Sequence, residues 1–264
     1  ADGVSYPGRN CDIYGNDIFN VSDDALEPDS GYANVRMWGN RLHSHLEAYS
    51  FQPMMCGPWY IIRNQSLSSN VFKMRVCDRF VMINNTFVTA KSGCGFAFNL
   101  LKCFSRNNIW CDASATDYVW MAHVRSEKEL KTLRGVVNYP ETDEGFRPGW
   151  MTDLDYDAFG KQPQPPGRSM GDVFGWWDSG TKKMMRFSTV KDFHKFLGVE
   201  EHGLDIGAEE TFQTWDIPDD LWRPYPKGEI GPRLFTLKPT ARVVDAGVVL
   251  PNIHDFGYNG KAPD

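Results

Sequence analysis

Short apolar runs separated by polar turn residues characterise the chain from Val35 onward. They are rich in β-branched and aromatic residues and are bounded by Asn, Asp, Ser or Gly, as strands joined by turns usually are. These runs are Trp59–Ile62, Val71–Val76, Phe80–Ile83, Phe87–Thr89 and Tyr118–Val124. The pattern predicts a mainly β protein, an antiparallel sandwich or barrel with a few short helices. No internal repeat is evident.

Two short helices are expected from their end signals. Ser126 and Glu129 form a capping-box pattern, and Gly135 follows where a left-handed stop belongs. The segment Thr189–Leu197 carries an apolar stripe and is followed by Gly198. Both helices are predicted to accompany a β body.

The distribution of proline, glycine and turn residues suggests three regions. Residues 1–35 are rich in Gly, Asn, Asp and Ser, which predicts an irregular arm held by a disulfide. Residues 138–171 contain five prolines, which disfavour a central strand and predict a long loop or linker. The proposed division is 1–137, 138–171 and 172–264, with a single domain as the alternative. The third region opens with a predicted hairpin over 173–187, has one short helix and ends in an extended tail.

The six cysteines all lie in the first 111 residues, together with three Asn-x-Ser/Thr sequons. Their even number and the absence of paired CxxC knuckles favour three disulfides over zinc, in any of fifteen pairings. The cysteines are Cys11, Cys56, Cys77, Cys94, Cys103 and Cys111, and the sequons begin at Asn20, Asn64 and Asn84. The sequence thus predicts a secreted, extracellular glycoprotein with a disulfide-stapled N-terminal half.

Charge and composition exclude some classes of binding partner. A formal charge of -6 offers no basic field for nucleic acid or anionic lipid. Apolar runs fall short of the roughly 20 residues that cross a bilayer, and the chain begins without a charged and apolar leader, so a mature, soluble product is expected. A hydrophobic content of 41% predicts a folded chain. Assembly into a homo-oligomer is consistent with this composition.

A histidine pair suggests a transition-metal site. If residues 42–49 form one strand, alternation places His43, His45 and Glu47 on the same face. Two imidazoles and a carboxylate suit zinc or copper. The alternative is a solvated strand face with ordinary surface histidines.

A second candidate metal site is acidic. Asp153, Asp155 and Asp157 occupy alternate positions, as ligands of calcium loops do. Ala158 and Gln164 replace the glycine and glutamate of an EF-hand loop, so an irregular calcium site or a plain acidic turn is expected instead.

Aromatic residues suggest a ligand platform, since exposed rings commonly bind sugars and flat ligands. The candidate binding residues are Trp59, Tyr60, Trp176, Trp177, Trp215 and Trp222. The alternative is that a second layer, such as the proline-rich tail, buries them.

Two short segments resemble signatures of the lipocalins, which are secreted eight-stranded barrels. They are Gly57–Tyr60 and Thr116–Tyr118, seven residues in all. This resemblance implies a barrel and a small apolar ligand.

The sequence contains no GxSxG elbow, glycine-rich phosphate loop or HExxH motif, so catalytic residues and cofactors are unknown, and zinc, copper and calcium remain the candidates. The first functional hypothesis is binding of a carbohydrate or small apolar ligand in an aromatic-lined cleft or barrel. The second is a metal-dependent enzyme that uses His43, His45 and Glu47. The third is a structural extracellular protein that self-assembles.

Overall fold

The computed structural model describes the greater part of the chain. The described residues are 1–29, 33–51, 57–74, 79–89, 94–95, 103–112, 119–123, 153–161, 172–178, 181, 183–215, 217, 235–255 and 257–263.

Short strands account for most of the described secondary structure. The strands are β1 (Val4–Ser5), β2 (Asp12–Tyr14), β3 (Asp17–Phe19), β4 (Asp24–Glu27), β5 (Val35–Trp38), β6 (Arg41–His43), β7 (Glu47–Phe51), β8 (Trp59–Ile62), β9 (Gln65–Ser68), β10 (Asn70–Met74), β11 (Phe80–Ile83), β12 (Thr86–Thr89), β13 (Cys94–Gly95), β14 (Phe104–Arg106), β15 (Ile109–Asp112), β16 (Trp120–His123), β17 (Asp153–Asp155), β18 (Ala158–Lys161), β19 (Phe174–Asp178), β20 (Lys183–Phe187) and β21 (Leu204–Gly207). The described residues also form two helices near the end of this series, α1 (Val190–Leu197) and α2 (Ala208–Thr211).

These strands form a β-solenoid. Each strand pairs in parallel with the strand three places later in most of the coil, for example Asp12 with Arg36 and Arg36 with Tyr60. Sheet 1 has the order β1-β4-β7-β10, sheet 2 the order β17-β14-β11-β8-β5-β2, sheet 3 the order β21-β18-β15-β12-β9-β6-β3, and sheet 4 the order β13-β16-β19-β20. Strand β13 lies beside β10, so sheet 4 continues the side of the coil that sheet 1 begins.

A repeated corner turns the chain from sheet 2 into sheet 3. The residue before each corner has a left-handed backbone, with φ of 62° at Gly39 and 55° at Arg63, and an asparagine follows. The asparagines are stacked: Oδ1 of Asn64 accepts from the backbone N–H and from Nδ2 of Asn40, at 2.9 and 3.0 Å. Nδ2 of Asn64 in turn donates to the carbonyl of Met37 at 2.9 Å. This asparagine column comprises Asn16, Asn40, Asn64, Asn85, Asn108 and, at its last position, Asp157.

Two hydrophobic cores result. The first fills the inside of the coil. Phe87 and Trp110 pair there on neighbouring strands of sheet 3, that is, on neighbouring turns of the solenoid, which are called rungs below, and their ring centroids are 4.4 Å apart. The second lies on the other face of sheet 3, where Leu67 and Val88 belong to one cluster with Phe212 and Phe235 of the C-terminal segment. The middle strands of sheet 3 are therefore buried on both faces.

Helix α1 packs against the last rung of the coil. Thr189 caps its N-terminus by accepting from the N–H of Asp192, and Gly198 ends it with a φ of 73°. Phe193 is fully buried and its ring stacks on Phe174 at 4.3 Å. The predicted helix and the predicted β19–β20 hairpin are confirmed. The other predicted helix, at 126–133, lies outside the described residues.

The predicted antiparallel sandwich or barrel is wrong. Several strand positions agree with the sequence prediction, including those of β8 and β11, but their partners do not. At each corner the chain turns into the next sheet of the solenoid rather than folding back on itself. Consecutive strands before β19 therefore lie in different sheets and do not pair with each other. Only the β19–β20 pair is antiparallel among the described strands.

Two further expectations about organisation differ from the structure. Residues 1–35 contain β1 to β4 rather than an irregular arm. The segment 138–171 contributes β17 and β18, because its prolines lie outside residues 153–161. Strands on both sides of this segment share a sheet, since β16 pairs with β19, and β18 of the segment itself pairs with β21.

The predicted disulfide staples are also wrong. Cys11, Cys103 and Cys111 are free thiols, and no disulfide is present among the described residues. The side chains of Cys56, Cys77 and Cys94 lie outside that description. The parallel hydrogen-bond ladders and the asparagine column supply the cross-links between rungs that disulfides were expected to supply.

Candidate functional site

The outer face of sheet 2 carries a row of aromatic and charged side chains. Strand alternation directs Ile13 and Met37 into the core and leaves Tyr14 and Trp38 outside. Tyr14 is 56% exposed and Trp38 is 41% exposed. Large aromatic residues with this exposure on neighbouring rungs form a contiguous apolar patch.

The two rings are stacked on each other. Their centroids are 4.3 Å apart and their planes differ by 1°. Parallel register dictates this arrangement, because Tyr14 and Trp38 are direct partners in the β2–β5 ladder. The indole Nε1 also donates to Oδ1 of Asp12 at 3.2 Å, which fixes the orientation of the Trp38 ring.

A charged pair borders the aromatic rings. Arg36 donates from Nε to Oδ1 of Asp12 and from Nη2 to Oδ2, both at 2.6 Å, in a bidentate pair. Its Nη1 donates to Asn34 at 3.0 Å. The Arg36 guanidinium thereby lowers the pKa of Asp12. Three of the five guanidinium N–H donors are used in these bonds, which leaves two for a ligand. Tyr14, Trp38, Asp12 and Arg36 are called the aromatic platform below.

The far end of the same face is more polar. Arg106 lies over the Phe104 ring at 4.6 Å and pairs with Asp153 at 2.5 Å. Asp155 accepts from the backbone N–H of His202 at 2.7 Å and lies 2.8 Å from its Nδ1. Although burial opposes it, hydrogen bonding to His202 lowers the pKa of Asp155. Each of these carboxylates thus has a protein partner.

The aromatic residues predicted from the sequence differ in their exposure. Trp59 is fully buried and Trp176 is 4% exposed, so both belong to the core. Tyr60 is half-buried in β8, and Trp215 stacks on Phe212 at 5.3 Å. The Trp177 side chain and all of Trp222 lie outside the described residues. Ligand binding by these six residues stays a prediction.

The strand assumed for the histidine site ends at His43. Ser44 follows with a φ of 60°, His45 lies in the turn, and Glu47 begins β7 in a different sheet. His43 stacks on Phe19 at 5.2 Å, and its Nε2 is 3.2 Å from Oδ1 of Asp17. His45 is fully buried, which lowers its pKa to about 3. The alternation that suggested a shared metal ligand set is therefore absent.

The three carboxylates of the predicted calcium loop have separate roles. Asp153 pairs with Arg106 and Asp155 with His202, whereas Asp157 ends the asparagine column. Burial raises the pKa of Asp157 to about 6. A bound calcium ion at these residues stays a prediction.

A different cluster of three carboxylate side chains has the geometry of a cation site. One ligand oxygen from each of Asp2, Asp24 and Glu27 can be chosen so that all lie within 4.8 Å of one another. Burial raises the pKa of Asp24 and, together with Asp2, raises that of Glu27 to about 7. The sequence analysis missed this group because β1 and β4 were assigned to an irregular arm.

The three sequons occupy different environments. Asn20 is exposed, whereas Oδ1 of Asn84 lies 3.0 Å from Nε2 of His254. Asn64 is fully buried in the asparagine column, and its Nδ2 bonds to Met37 and Asn85. A glycan on Nδ2 of Asn64 is incompatible with these bonds. Glycosylation as such stays a prediction.

The aromatic platform was also missed by sequence reasoning, although a signal exists. Corner asparagines recur at intervals of 24, 24, 21 and 23 residues from Asn16 to Asn108. Aligning the chain on that period places Tyr14 and Trp38 at the same position of successive coils.

The site and the fold together define a β-solenoid with an exposed aromatic pair on one outer face. Comparisons of the chain with family models, curated proteins and solved structures found no match. No helix in the described residues is long and apolar enough to span a membrane.

Proposed function

We propose that the protein binds an extended carbohydrate chain on the outer face of sheet 2, with the aromatic platform as the principal contact. The observation that carries the proposal is the exposed stack of Tyr14 and Trp38, whose rings are nearly parallel, beside the Asp12–Arg36 pair. Aromatic rings contact the apolar faces of sugars, and charged groups at the edge hydrogen-bond their hydroxyls.

The interior formed by the described residues favours an extended ligand over an enclosed one. The interior of the coil is filled with side chains such as Phe87 and Trp110, both fully buried. A cavity beneath the C-terminal segment, lined by Asn107 and Val243, has about 20 Å³ of space, enough for a single water. In contrast, the outer face of sheet 2 presents side chains at the regular spacing of parallel strands, roughly 4.8 Å.

The charge of the platform argues for a neutral or weakly charged sugar chain. Asp12 and Arg36 neutralise each other, so neither attracts a polyanion strongly. An extracellular location remains part of this proposal. Its support is the exposed sequon at Asn20, since the three described thiols are free.

Binding to a panel of soluble polysaccharides, measured by calorimetry and by tryptophan fluorescence, tests the proposal. We expect at least one neutral polysaccharide to bind, and Trp38→Ala to weaken that binding about tenfold, which corresponds to about 1.4 kcal/mol. Tyr14→Ala should act in the same direction.

The matched control is Phe19→Ala. Phe19 is 52% exposed and stacks on His43 in sheet 3, so it resembles Tyr14 in exposure but not in location. The proposal fails if no polysaccharide binds, or if the Trp38 and Phe19 variants lose affinity equally.

A further inference from the structure

The first strand brings four oxygen-bearing side chains together at one edge of the coil. Strand β1 pairs in parallel with β4, with Ser5 opposite Glu27, and the N–H of Gly3 donates to the carbonyl of Asp24 at 3.0 Å. This register carries Asp2 and Ser5 to the side chains of Asp24 and Glu27. Oγ of Ser5 lies 3.2 Å from both Oδ2 of Asp2 and Oε2 of Glu27.

Negative charge exceeds positive charge within this group. Three carboxylates, from Asp2, Asp24 and Glu27, lie within reach of a common point. Lys73 contacts the group through Oδ2 of Asp24 at 2.9 Å, and its Nζ is also 3.9 Å from Asp23. One ammonium group neutralises only part of such a cluster.

A second observation points to a ligand. Asp24 is fully buried, and its Oδ1 has no hydrogen-bond partner. A buried carboxylate oxygen without a donor is costly, and native proteins supply a donor, a water or a cation in nearly every case. A cation shared with Asp2 and Glu27 would supply the partner that this carboxylate lacks.

We propose that Asp2, Asp24 and Glu27, with the hydroxyl of Ser5, form a structural calcium site. All four donors are hard oxygen atoms, which favour calcium or magnesium over zinc or copper. Calcium binds oxygen at roughly 2.3–2.6 Å, so its opposite ligands are separated by up to about 5 Å. The ligand oxygens lie within 4.8 Å of one another, so they can contact one such ion. Magnesium is usually held by one or two carboxylates and several waters, so three carboxylates and a hydroxyl favour calcium.

The bound ion ties the first strand to the coil. Strand β1 has two residues and pairs with β4, so few backbone bonds hold residues 2–5 in place. An ion shared by Asp2 on one side and by Asp24 and Glu27 on the other cross-links these two segments. Calcium thus stabilises this edge of sheet 1.

Calcium titration of the full chain, after removal of divalent ions with a chelator, tests the site. We expect one calcium ion per chain by calorimetry. At a hundredfold excess over Kd we expect Tm to rise by roughly 5 °C, with a smaller rise for magnesium. Asp2→Asn should weaken calcium binding at least tenfold while leaving the apo Tm near that of the wild type, because Asp2 is only partly buried.

Glu201→Gln is the matched control, since Glu201 is an exposed carboxylate on a distant turn. It should bind calcium as the wild type does. The proposal is overturned if calcium changes neither heat nor Tm, if the Asp2 and Glu201 variants respond equally, or if magnesium binds as tightly as calcium.

Discussion

The backbone N–H of Asp157 donates to Oε2 of Glu200 at 3.3 Å, so two buried carboxylates end the asparagine column. Asp157 occupies the position of an asparagine and accepts from the backbone N–H of Asn108 at 2.8 Å. Burial raises the pKa of Asp157 to about 6 and that of Glu200 well above its ordinary value. Neighbouring asparagines avoid this cost because they are uncharged.

The buried pair of Asp157 and Glu200 predicts that the free energy of unfolding decreases as the pH rises. Both pKa values are higher in the folded state than in the unfolded chain, so the stability that these groups contribute is complete below about pH 4 and declines as the pH rises. For Asp157 it is lost as the pH passes about 6. We expect Glu200→Gln to be more stable than the wild type at pH 7.5 by roughly 1–3 kcal/mol, and to differ less at pH 5. Urea unfolding at both pH values measures the effect. Glu201→Gln, next in sequence but exposed, should leave the pH dependence unchanged; an equal change in both variants contradicts the prediction.

The asparagine column itself predicts a large cost for a single substitution. In Asn64→Ala the backbone N–H of Asn40 and the carbonyl of Met37 both lose a partner within a buried corner. We expect a loss of roughly 2–4 kcal/mol in the free energy of unfolding. Gln65→Ala is the control, since Gln65 is exposed in the next position, and should change stability by less than about 0.5 kcal/mol. Comparable losses for the two variants count against a structural role for the column.

Local sequence signals located many elements but not their partners. The strand β8 and the helix α1 were predicted within a residue, because apolar runs and caps are local features. The pairing of Trp59 with Val35 and Phe80 depends on a repeat in which only the corner residues are constant. Since the rest of each coil varies, the repeat is visible only when Asn40 and Asn64 are recognised as equivalent.

The functional residues were harder to find for the same reason. Trp59 is aromatic and lies in a strand, yet it points into the coil, whereas Trp38 points outward. Alternation alone cannot identify the inner face until the sheet and its neighbours are known. Likewise, Asp2 and Glu27 meet only through the β1–β4 pairing.

The contact between helix α1 and the last rung predicts that Phe193 contributes strongly to the stability of the fold. Its ring is fully buried and stacks on Phe174, so truncation leaves a cavity at the end of the inner core. We expect Phe193→Ala to lower the free energy of unfolding by roughly 3–5 kcal/mol. Phe196→Ala is the matched control, because Phe196 is on the same helix but 43% exposed. Denaturant unfolding monitored by circular dichroism measures both; a similar loss in the control contradicts a capping role for the helix.

The state of the cysteines gives a prediction that separates the solenoid from a disulfide-stapled protein. Cys103 and Cys111 are buried, and burial raises the pKa of both thiols, so neither is available as a thiolate. Cys11 is partly exposed. We expect iodoacetamide to alkylate Cys11 in the native protein and to reach Cys103 and Cys111 only after unfolding in urea without reductant. Peptide mass spectrometry measures each site separately. The unfolded sample is the control. A cysteine that stays unmodified in urea and reacts only after a reductant is added was in a disulfide. Such a result for Cys103 or Cys111 contradicts the structure.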